Sequence, residues 1–130
     1  MTRARTRRGS TLVESAVVAT VFLMLLAGVM EFGRLGFAYN CVSFAAQRAA
    51  RFASVRGSSS GHAALASDVA SAAKGYALLN AAQMTVATTW LPNNQPGSTV
   101  QVIVTYTFKS VLVPVGTMTL QTTSRHIIAQ

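Results

Sequence analysis

Few residues in this chain can do covalent chemistry, and their spacing decides how they are read. Ser58, Ser59, Ser60, His62 and Asp68 include the residue types of a nucleophilic triad. They fall in or just after Gly57-Ser58-Ser59-Ser60-Gly61, a flexible break with no strand-to-helix elbow to hold a nucleophile. Tetrahedral zinc draws on closely spaced His and Cys ligands, whereas Cys41, His62 and His126 are far apart and complete the set. The sequence shows no glycine-rich phosphate loop and no paired-carboxylate site. No catalytic residue, metal ligand or cofactor is therefore assigned, and the chain reads as a non-enzyme. Cys41 lies in an apolar helical stretch and reads as a small buried hydrophobe. An intermolecular disulfide or a reactive thiol is the alternative, since one cysteine makes an internal disulfide impossible.

The more telling ionisable group is Glu14. It is the one charge between Leu12 and Met30, a run without proline. At 1.5 Å per residue this run approaches the hydrocarbon thickness of a bilayer, roughly 30 Å. A charged acid near the bilayer centre costs about 2.5–3.5 kcal/mol and less near an interface, so an acid here needs a reason. Arg3, Arg5, Arg7 and Arg8 precede the run. Such a cluster is a topology determinant, placing the N-terminus in the cytoplasm and the C-terminus outside.

Composition agrees with this placement. A chain of 130 residues supports one small domain plus a membrane segment. With 51% hydrophobic and 11% charged residues it is too apolar for an ordinary soluble domain, and too hydrophobic to be disordered. The net charge of +8 invites a nucleic-acid partner. The distribution argues against one: after Gly57 only Lys74, Lys109 and Arg125 remain, against Asp68, with no basic-aromatic platform.

The elements that must position these residues follow from periodicity. Helical spacing continues past Glu31, with Phe32, Leu35, Tyr39, Val42, Ala46, Ala49 and Ala53 on one stripe. Phe37, Cys41, Phe44 and Phe52 form part of a second, separated by the polar strip Asn40, Ser43, Gln47, Arg51 and Ser54. Two apolar faces suit a helix that packs on its own domain with one and on other subunits with the other. A helix from Ser10 to about Val55 is roughly 65–70 Å long. Gly28, Gly33 and Gly36 within it permit either close helix approach or a bend.

Beyond the break, Leu65, Val69, Ala72, Tyr76 and Leu79 mark a second amphipathic helix returning along the first. From Met84 the period becomes two, through Trp90. Pro92 to Gly97 reads as a turn or loop. Val100, Val102, Val104, Tyr106 and Phe108 then share one face of a strand. A connector from Ser110 to Gly116 contains Pro114, and a third strand runs from Thr117 to Ile128 with Met118 and Leu120 inward. The fold class is α+β: a long N-terminal transmembrane and amphipathic helix, a short second helix and a three-stranded antiparallel meander. Residues 1–9 form a basic leader, 10–56 the helix and 57–130 an extracytoplasmic domain.

The block Arg8-Gly9-Ser10-Thr11-Leu12-Val13-Glu14 and the apolar run after it resemble the TadE-like proteins, pilin-related components of the Tad (Flp-type) pilus system. Glu31-Phe32-Gly33-Arg34 and the alanine-arginine stretch Ala45 to Ala53 extend the resemblance, which covers Arg8 to about Val55. The resemblance implies a pilin-like fold and cleavage by a prepilin peptidase between Gly9 and Ser10. It makes Glu14 the fifth mature residue, where pilin-like proteins carry an acid. It also implies as partners major and minor Tad pilins, the membrane assembly platform and the lipid bilayer, at the bacterial inner membrane. Major Flp pilins are very short and commonly follow that glutamate with tyrosine. Ser15 and the sizeable domain here point instead to a minor pilin or pseudopilin that initiates, primes or caps the pilus.

Within that frame, a neighbour's α-amino group at Ser10 is the expected partner of Glu14. Glu31 and Arg34, three apart on one helix face, are expected to pair at the outer boundary, with little worth if solvated. An ordinary or twin-arginine secretory signal is disfavoured by Glu14 and by the lack of a small-x-small site before Glu31. The functional alternative is a membrane-anchored or tip-displayed adhesin, with Trp90 and the Pro92–Gly97 loop as contacts.

Overall fold

The computed structural model describes residues 4–112 and 116–129, with side chains described from Gly9 onward. Arg3, the side chains of Arg5, Arg7 and Arg8, and Pro114 lie outside the described residues. The first helix, α1 (Ala4–Ser54), runs unbroken for 51 residues, about 75 Å. Gly28, Gly33 and Gly36 neither break it nor serve close approach within the chain, since a Cβ at each meets nothing within 4 Å. Alanine, leucine and the absence of proline favour helix throughout. It ends where the Arg56 amide bonds back to the Ala53 carbonyl and Gly57 follows.

The second helix, α2 (Ala66–Tyr76), is capped at its start by the Asp68 carboxylate, which accepts the Leu65 amide at 3.1 Å. That is half of a capping box, because leucine offers no acceptor to complete it. Strands β1 (Met84–Leu91), β2 (Thr99–Lys109) and β3 (Thr117–Ile127) form one antiparallel sheet in the order β1-β2-β3. Pairing of Met84 with Tyr106 and of Lys109 with Thr117 sets the register. α1 crosses β2 and β3, while α2 packs on α1 and β1.

The core joins a strip of small residues on α1 to the inner face of the sheet. Ala38, Val42, Ala45, Ala46, Ala49, Ala50 and Ala53 meet Val100, Val102, Val104, Tyr106 and Phe108 in one buried cluster, which Val69 and Ala73 of α2 complete. Alanine lets helix and sheet approach closely, so the packed face follows side-chain size as well as period.

Several expectations need correcting. Of the stripe that holds Phe32, Leu35, Tyr39, Val42, Ala46, Ala49 and Ala53, all pack in the core or against it except Phe32 and Tyr39, which are exposed at its edge. In α2 only Val69 and Ala73 are buried, with Leu65 and Tyr76 exposed. Met118 is exposed, while Leu120 does pack against the core. The Gly57–Gly61 segment is an ordered turn rather than a flexible break. The Ser60 amide bonds to Gly57, Ala64 to Arg56 and Ser58 to the Asn94 carbonyl.

The sheet gives the domain two distinct ends. At one, the Ala129 amide bonds to the Ser54 carbonyl and the Gly97 amide to Ile128, so the helix end, the 92–98 turn and the end of β3 are tied together. Gly97 adopts a positive φ of 85°, a conformation costly for residues with a Cβ. At the other end the β2–β3 connector meets α1 beside Glu31.

Candidate functional site

Residues 9–26 of α1 are exposed on every side, and the domain packs only from the Glu31 turn onward. The bare segment carries Leu12, Val13, Val17, Val18, Val21, Phe22, Leu23, Met24 and Leu25, an all-round apolar surface. By length and composition this helix can cross a membrane. One polar group suits that setting: the Thr20 hydroxyl donates to the Ala16 carbonyl at 2.8 Å, satisfying itself within the helix.

Gly9 and Ser10 are exposed and lie inside the helix rather than before it, so the bond between them is helical. Glu14 is exposed and has no hydrogen-bond or ion-pair partner among the described residues. It is separated along α1 from Glu31 and Arg34, which the structure does bring together.

Glu31 is only 7% exposed. Arg34 Nη1 donates to its Oε2 at 2.8 Å, and the Val111 amide donates to its Oε1 at 3.0 Å. The expected pair is therefore a three-part junction that fastens the β2–β3 connector to α1. Arg34 lies 5.4 Å from the centre of the Phe108 ring, in cation–π range. Burial works to raise the Glu31 pKa. The bonds from the Val111 amide, the Ser110 hydroxyl and Arg34, with the arginine charge, outweigh burial and hold it below its ordinary value.

Val111, Ser110 and Phe108 were missed by sequence reasoning. They sit about 80 residues from Glu31, and no local signal links an amide in a connector to a distant carboxylate. The second apolar stripe of α1 is divided: Phe37 and Phe44 are exposed, with Arg48 over the Phe44 ring at 5.0 Å, whereas Phe52 packs against the core. Cys41 is half-buried rather than buried. The polar strip is partly enlisted inside, where the Ser43 and Thr122 hydroxyls bond at 3.3 Å and Ser54 is buried.

The triad residue types have structural duties. Asp68 caps α2, the Ser60 hydroxyl donates to Gly57, and His62 contributes its backbone amide to the Ser60 oxygen. Among the described residues no three His, Cys, Asp or Glu side chains gather as metal ligands.

Fold and exposed span together define a small α+β protein whose N-terminal helix suits a membrane anchor. Over residues 9–51 the chain matches the family model of TadE-like proteins. The match ends within α1 and leaves the second helix and the sheet outside it. No curated protein and no solved structure matches the chain.

Proposed function

We propose that the chain is a minor pilin or pseudopilin of a Tad pilus, which joins other pilin-like subunits to initiate, prime or cap the filament. The observation that carries this is the continuous α1, bare and apolar from Gly9 to Leu26 and packed on a domain only from the Glu31 turn onward. A helix apolar all round is solvated by lipid or by other helices. One surface therefore serves as a membrane anchor before assembly and as a bundle contact after it.

In this reading residues 1–9 are a leader, with Arg3, Arg5, Arg7 and Arg8 holding it in the cytoplasm. Residues 10–56 span and extend, and 57–130 form the domain outside the inner membrane. Prepilin peptidase cleaves between Gly9 and Ser10, where glycine costs the helix about 1 kcal/mol relative to alanine and eases local opening. The new amine of Ser10 on one subunit then neutralises Glu14 of another, which is exposed and has no partner among the described residues, setting axial register as the subunit leaves the assembly platform. Glu31 and Arg34 act indirectly, fixing the domain to the helix at the outer boundary.

The test is Glu14→Ala in cells. Loss of partner co-purification and of pili, with the chain still in the membrane, is expected. Unchanged pull-down and unchanged pilus number would exclude the assembly role.

One observation favours the adhesin alternative: the Pro92–Gly97 turn is at the domain end opposite the span. Its proposed aromatic contact is less free, because Trp90 packs against the core. Deleting the turn separates the readings. Lost adhesion with normal pili supports an adhesin, and lost pili support assembly.

A further inference from the structure

We propose that Val111 and Leu112, just after β2, form a second membrane contact, seated among the phospholipids of the leaflet from which α1 emerges. This rests on the reading of α1 as a membrane span. Val111 is 73% exposed and Leu112 49% exposed, consecutive apolar residues that the core does not use. A connector facing water is normally built from polar and turn-forming residues. The opposite end of the sheet follows that rule with Asn93, Asn94 and Gln95.

The height of the connector is fixed by the junction with α1. The Val111 amide lies 3.0 Å from Glu31 Oε1, and Glu31 is the next residue after Met30, where the apolar run ends. Glu31 is one residue beyond the run and its side chain reaches only a few Å, so the backbone at Val111 lies within one helical turn, ~5.4 Å, of the edge of the span. Side chains leaving it at that level meet the interfacial layer rather than bulk water.

The surrounding charges fit phospholipid. Arg34 lies one turn beyond Glu31 on the domain side, and exposed Lys109 ends β2 just before the connector. Lys109 supplies an exposed cation for lipid phosphate at this level, while Arg34 is already paired with Glu31. The one acid at this level, Glu31, is covered by Arg34 and the Val111 amide and presents no bare anion to those phosphates. Because the domain is packed rigidly on α1, two attachment points restrict rotation of the whole molecule about the helix axis within the bilayer. A single helix would not do this.

The experiment uses the full chain in vesicles of phosphatidylethanolamine and phosphatidylglycerol at low protein density. Cys41→Ser supplies the background, and an environment-sensitive fluorophore is attached in turn at Leu112→Cys, Ile127→Cys and Val21→Cys. Ile127 is an exposed apolar residue at the far end of the sheet, and Val21 lies within the span. The expected result is several-fold stronger quenching by interfacially spin-labelled lipid at position 112 than at 127, with position 21 quenched by deeply labelled lipid. Quenching at 21 with position 112 no different from 127 overturns the connector contact and leaves the span intact. No quenching at 21 overturns the membrane reading itself.

Discussion

The two halves of α1 share one backbone and differ in what surrounds them. Below Glu31 the side chains are large and bare, with Leu25 exposing 65% of its surface. Above it, Ala45, Ala46, Ala49 and Ala50 expose none. Hydrophobicity sets the halves apart first: the lower carries one charge between Leu12 and Met30, whereas the upper carries Glu31, Arg34, Arg48 and Arg51. Size then selects the packed face: alanine brings the upper half against the sheet, while leucine, valine and phenylalanine in the lower half form an outward apolar surface. The first arrangement is a domain core, and the second requires lipid or other helices.

Charge inside the lower half should break that contrast most strongly. Val21→Asp places an acid in mid-span at a cost of about 2.5–3.5 kcal/mol, and membrane fractionation should show lost insertion. Gln47→Asp, on the exposed side of the upper half, should leave insertion unchanged.

Added volume separates the halves next. Ala49→Leu should overpack the helix–sheet contact and destabilise the domain by about 1–3 kcal/mol in denaturant titrations of the micelle-bound chain. Val21→Leu should leave domain stability unaltered. Equal effects at the two positions would contradict the division.

Gly36→Ala sharpens the role of the upper half's outer face. With nothing within 4 Å of a Cβ there, the change should stabilise the helix by about 0.5–1 kcal/mol by thermal melting. A gain in stability accompanied by lost pili would identify Gly36 as a point of close approach between subunits.

The smallest effect concerns the boundary between the halves. The folded-state pKa of Glu31 lies below its ordinary value, so its junction contributes stability above that value and loses it as pH falls through the folded pKa. Acid titration of domain stability should therefore show a component in this window that Glu31→Gln abolishes. An unchanged acid profile in the variant would remove the junction from the account.

Much of the architecture was legible because it is local. Period-two alternation identified Val100, Val102, Val104, Tyr106 and Phe108, all of which are buried. The uninterrupted apolar run likewise identified the helix, and the Arg8–Glu14 block the TadE-like segment. What period alone did not resolve was which of two neighbouring stripes on α1 packs, because Phe32 and Tyr39 share their helical phase with residues at the edge of the alanine strip. Helix and sheet select the face by how closely they approach, which is a property of both. The Glu31–Val111 bond was invisible for a similar reason: it depends on where a connector lands after two strands have paired. For the same reason Glu31 and Arg34 were recognisable as a pair, but not as the junction that fixes the domain's height on the helix.

The assembly reading of the bare half stands on its being a pilin-type segment rather than a discarded export signal. Mass-spectrometric identification of the N-terminus of the mature protein, purified from cell membranes, tests this most directly. A chain beginning at Ser10, with Glu14 as its fifth residue and the apolar run intact, is expected. A chain beginning beyond Ala27 would have lost the span and would contradict the account.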